Sequence, residues 1–132
     1  MEIPANTETC ELSDSIIWLK EGIVYSTPKS GITETPNRQN IREKMEKIRA
    51  FVGEKKICLV VEINPKSKPA SKENRDFVAT EIASVTKAMA MITVSPLTKM
   101  LVNLFFGFKP PSYPMKMFTS ELEATNWIRR YL

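Results

Sequence analysis

Apolar residues along this chain recur in two rhythms, one extended and one helical. "SIIWLKEGIVYST" carries β-branched and aromatic residues on both sides of Lys20-Glu21-Gly22. That pattern predicts a hairpin, with Gly22 at a turn position of positive φ. "KICLVVEI" and "AMAMITV" are apolar runs without alternation, the mark of strands covered on both faces. "MKMF", from Met115 to Phe118, reads as a short last strand. Between the strands the period changes to that of a helix. Ile41, Met45, Ile48 and Val52 form one stripe, and Val78, Ile82 and Val85 a second. Leu97, Met100, Leu101, Leu104, Phe105 and Phe108 give the inner face of a third helix; Ala124, Trp127, Ile128 and Tyr131 that of a fourth.

Local signals bracket these segments. Thr35-Pro36 and Ser95-Pro96 each pair a capping hydroxyl with a proline whose missing N–H costs nothing at a helix start. Ser71 can cap the second helix, and Ser120 with Glu123 fits a capping box. Gly53 and Gly107 stand where the first and third helices should stop. The order is β-β-α-β-α-β-α-β-α. Alternating strands and helices imply right-handed crossovers and a mixed, mostly parallel sheet, with the opening hairpin as its antiparallel part. The expected organisation is a single α/β domain over residues 1–132, with residues 1–10 a loose polar segment.

Composition narrows the function. A chain of 132 residues, 42% of them hydrophobic, suffices for one continuous core. The net charge is +4, but the bases interleave with acids, as in "REKMEKIR". Such interleaving reads as a solvated helix face, and no nucleic-acid partner is expected. There is no histidine, which removes the commonest general acid/base. Two separated cysteines make no structural zinc site, and four glycines form no phosphate loop. We therefore expect no enzyme activity, metal or cofactor. The N-terminal stretch has no basic start followed by an apolar run, so no secretory leader is expected. The apolar runs fall short of the ~20 residues that span a bilayer, so no stable membrane insertion is expected. A reducing, cytoplasmic location fits the cysteine usage.

"NLFFGFKPPSYPMKMF", Asn103–Phe118, crowds aromatics and prolines together. Leu104, Phe105 and Phe108 share one helix face, while Val102 and Phe106 fall on other sides. A helix apolar nearly all round is covered on more than one side. The candidates for the second cover are another subunit, the Pro110–Pro114 turn folded back, or an apolar ligand. The candidate interaction surface is Val102, Phe106, Phe108, Lys109, Pro111 and Tyr113. The expected partner is a protein or a second copy of the chain, with a homodimer favoured and a small apolar ligand as the alternative.

The element order resembles that of the STAS domain, the fold of the SpoIIAA anti-anti-sigma factors. The segment "VSPLTKMLVNLFFGFKPPSYPMKMFTSELEATNWI" is similar to the STAS/SEC14-like, SpoIIAA-like group of small bacterial proteins. The resemblance rests on Ser95, Asn103, Phe105, Pro111, Pro114, Phe118, Glu121, Glu123 and Trp127, and extends over Ile16 to Leu132. It implies a SpoIIAA-like sandwich and a non-enzymatic regulatory or protein-interaction module. SEC14-like kinship implies, as the alternative, a carrier or sensor of an acyl chain or lipid. Partner-switching STAS proteins carry a phosphorylated serine in an Asp-Ser-x-Gly motif after the central strand. The corresponding stretch here, "EINPKSKPASKENRD", lacks that Asp and Gly and offers Ser67 and Ser71 as the serines available for a phosphoswitch.

Overall fold

The computed structural model describes residues 1–29, 38–63, 72–108 and 111–132, without the side chains of residues 40, 72, 74, 75, 78, 79 and 105–108. Among the described residues the strands are β1 (Thr9–Glu11), β2 (Ser15–Lys20), β3 (Ile23–Pro28), β4 (Ile57–Glu62), β5 (Thr86–Ile92) and β6 (Met115–Phe118). The helices are α1 (Arg38–Val52), α2 (Lys72–Ala83), α3 (Pro96–Phe108) and α4 (Glu121–Ile128), the last running into a 3-10 turn, Arg129–Tyr131.

The six strands form one mixed sheet whose spatial order follows the chain, β1 to β6. β1, β2 and β3 pair antiparallel; β3 to β6 pair in parallel. The fold class is thus the expected α/β arrangement, with one strand more. Thr9–Glu11, in the stretch expected to be loose, pairs with Trp18, Ile17 and Ile16 of β2. Its flanking polar residues hide it from a pattern search, because backbone pairing with β2 and the packing of Cys10 alone recruit it.

Every parallel crossover steps one strand in the same direction, and right-handed crossovers of that kind deliver successive helices to one side of the sheet. Ile48, Phe51 and Val52 of α1 and Ile82 and Ala83 of α2 accordingly pack on one layer with Ile17, Val24, Leu59 and Met89. α4 closes the opposite layer, where Ala124 and Ile128 lie against Trp18, Ile23, Tyr25, Cys58, Val60, Ala88 and Ala90. The alternation of Ile57, Cys58, Leu59 and Val60 between the two layers explains why β4 shows no polar face.

Local signals act as their chemistry dictates. The β2–β3 turn has positive φ at both Glu21 (53°) and Gly22 (81°), the primed turn that suits the twist of a hairpin. α1 stops at Gly53, whose φ is 87° and whose N–H donates to the Arg49 carbonyl at 2.8 Å. The Ser120 hydroxyl accepts from the Glu123 N–H at the start of α4. α3 runs one residue past Gly107, to Phe108. The proposed caps at Thr35-Pro36 and Ser71 lie outside the described residues.

Candidate docking face on helix α3

α3 starts where Pro96 fixes the backbone and the Ser95 hydroxyl accepts from the Thr98 N–H at 3.2 Å. Its principal neighbour is β6, the last strand of the sheet. An edge strand presents unpaired N–H and C=O groups that must find partners. Asn103 supplies them. Its Nδ2 donates to the Met117 carbonyl at 3.0 Å, and its Oδ1 accepts from the Met117 N–H at 2.9 Å. One side-chain amide therefore imitates a neighbouring strand at the sheet edge.

That double hydrogen bond sets how α3 is rolled. Lys99, Val102 and Asn103 are half-buried and mark the side facing the protein. Leu97, Met100, Leu101 and Leu104 are 61%, 58%, 52% and 58% exposed, and Val94, just before the helix, is 77% exposed. Spaced i, i+3, i+4 and i+7, they form one stripe on the side turned to solvent. Over Leu97–Leu104 this apolar stripe of α3 faces outward.

This reverses the sequence expectation, which places Leu97, Met100, Leu101 and Leu104 on the inner face. Periodicity locates a stripe but not which side it faces, and here the hydrogen-bonding demand of β6 wins over apolar burial. One residue of the candidate interaction surface is corrected as well. Tyr113 is buried, packed with Leu12, Ile17 and Met89, because the turn after α3 leads it under the sheet layer that α1 and α2 cover. Val102 lies on the inward side of α3, half-buried. Pro111 is half-buried. The side chains of Phe106 and Phe108, and Lys109, Ser67 and Ser71 altogether, lie outside the described residues. Asn103, a lone amide within an apolar helix opposite an edge strand, was the signal that could have revealed the roll of α3.

Elsewhere the chemistry is structural. Burial pushes the Cys58 thiol up, with Lys87 opposing more weakly, and burial pushes the Tyr113 phenol up. Both groups are held neutral, the opposite of what a nucleophile needs. A groove of about 560 Å³ along α1 is lined by Arg38, Gln39, Arg42, Glu43 and Glu46. Its charges are mixed, Arg38 pairs with Glu73, and both arginines lie over the Phe77 ring. Among the described residues no concentration of one sign results. No group of three or more potential metal ligands occurs among the described residues, and no described helix is long and apolar enough to cross a membrane.

A twisted sheet with α1 and α2 on one face, α4 on the other and α3 at its edge defines a SpoIIAA-like α/β protein. The structure is similar to the crystal structure of an uncharacterized protein of the DUF3478 family with a SpoIIAA-like fold from Shewanella loihica PV-4. The two superpose with a TM-score of 0.55 over 96% of this chain and 99% of that one, at 12% identity, which makes the likeness one of fold. The chain itself belongs to the family of the domain of unknown function DUF7793, whose profile matches residues 17–132. A search among curated proteins finds no match.

Proposed function

We propose that this protein is a non-enzymatic regulatory module of the SpoIIAA-like type that works in the cytoplasm by docking another protein on α3. The observation that carries the reading is the outward apolar stripe of Leu97, Met100, Leu101 and Leu104, held in place by Asn103. Isolated exposed leucines are ordinary, but a contiguous apolar patch on a soluble protein marks a contact site. The free thiols of Cys10 and Cys58 suit a reducing compartment.

A photo-reactive residue placed at Leu101 in the host cell tests the reading. The control is the same residue at Leu122 on α4, a leucine that is 70% exposed but lies outside the stripe. Protein adducts should form at position 101 and not at 122. Equal labelling at the two positions would remove the basis for a docking face.

A further inference from the structure

We infer that the occupant of the α3 stripe is a second copy of this chain, packed stripe to stripe about a two-fold axis. The inference rests on the docking reading above and adds the identity of the partner.

Size is the first argument. Val94, Leu97, Met100, Leu101 and Leu104 are each more than half exposed. Each offers about 100 Å² of apolar surface, so two stripes, with Val94 beside each, remove at most about 1,000 Å² from water. That lies below the size of a standard stable interface and in the range of weak, reversible contacts.

Shape is the second. A stripe at i, i+3, i+4 and i+7 is a straight ridge about 10 Å long. It is built of leucine and methionine side chains of similar volume. Turned by a two-fold axis between Met100 and Leu101, the ridge matches itself, with Leu97 of one copy against Leu104 of the other. An isologous contact needs only such self-complementarity.

Charge is the third. The segment Pro96–Phe108 contains one ionisable residue, Lys99. That lysine is half-buried on the side facing the protein. Two stripes can therefore meet without apposing like charges, although each chain carries +4. A lipid surface selects a different helix, one whose polar side is basic and faces the headgroups. The polar side of α3 is instead occupied by β6 through Asn103.

Sedimentation equilibrium on the full chain, from about 1 µM to 1 mM, tests the inference. The average mass should rise from that of one chain towards twice that value. Leu101→Asp, and independently Leu97→Asp, should weaken association at least about tenfold by placing a charge in the apolar contact. Their circular dichroism should match that of the wild type. The symmetry has its own test in a Cys10→Ser background. Under mild oxidation a mixture of Leu97→Cys and Leu104→Cys chains should cross-link to each other faster than either does to itself. A wild type that stays monomeric at 1 mM, or a dimer untouched by both aspartates, overturns the second copy as occupant. In the photo-cross-linking experiment an adduct of two identical chains supports it. An adduct with a different protein overturns it and leaves the docking reading standing. A lipid adduct overturns both, as does labelling no stronger than at Leu122.

Discussion

Asn103 is one amide, yet it ties α3 to the last strand of the sheet through two hydrogen bonds. Its two hydrogen bonds to Met117 satisfy a donor and an acceptor that would otherwise be stranded at the sheet edge. Asn103→Leu, similar in size but unable to pair, should cost about 1–3 kcal/mol through the unsatisfied backbone groups. Faster hydrogen exchange at the Met117 N–H than in the wild type is the specific readout; unchanged protection there would show that the amide does not hold the edge. Cys58 and Tyr113 act at the same scale through protons. Burial raises the pKa of both, so the folded protein keeps each proton to higher pH than the unfolded chain does. The stability they contribute is whole below the unfolded values, about 8.5 for a thiol and 10 for a phenol. It is lost as pH rises through the folded ones. Urea midpoints should therefore fall above about pH 8.5, and Tyr113→Phe should flatten the upper part of that fall. A midpoint indifferent to pH up to 10.5 in the wild type would contradict the burial argument.

Single elements owe their form to local chemistry more than to their neighbours. The β2–β3 hairpin joins strands paired from Ser15–Pro28 to Lys20–Ile23, and its turn asks for two residues of positive φ. Gly22 meets that demand freely and Glu21 does not, because its Cβ is crowded in the left-handed region. Glu21→Asn should stabilise the protein by about 0.5–1 kcal/mol, since asparagine tolerates that conformation. The change removes an exposed contact with Arg129 at 3.4 Å, which contributes little. A thermal melt reads the outcome, and a lower Tm would show that the turn is not the limiting feature. α4 illustrates the other kind of element. Ser120 starts it, and Ala124 and Ile128, both fully buried, seat it over Ala88 and Ala90, whose small side chains let it approach the sheet.

At the scale of the whole molecule, apolar side chains divide into those that hold the sheet layers together and those left facing water. Trp18 is 1% exposed and stacks on Tyr25, its cross-strand partner, with ring centroids 5.6 Å apart. Trp18→Ala should cost about 3–5 kcal/mol. Leu101→Ala, at a residue 52% exposed, should stay within about 0.5 kcal/mol. Parallel urea titrations at about 1 µM protein compare the two. Similar losses would mean that the stripe is core after all.

The strand and helix segments of this chain, and several of their ends, were legible in the sequence because each depends on residues within one turn of itself. Gly53 stops α1 by its own φ, Ser95 and Ser120 accept from N–H groups three residues on, and the unbroken apolar run of β4 records burial on both faces. The resemblance to SpoIIAA-like proteins likewise foretold the fold that the structural comparison supports. What the sequence could not decide was the direction in which a stripe points. The spacing of Leu97, Met100, Leu101 and Leu104 is the same whether they face a sheet or water. Their orientation follows from the position of β6 at the end of the strand order, and from the Met117 backbone groups there that pair with Asn103. β1 and Tyr113 were hidden for the same reason. A polar three-residue strand and a tyrosine in a proline-flanked turn acquire their roles from partners distant in sequence, at β2 and in the layer under α1 and α2, which come near only when the chain has folded.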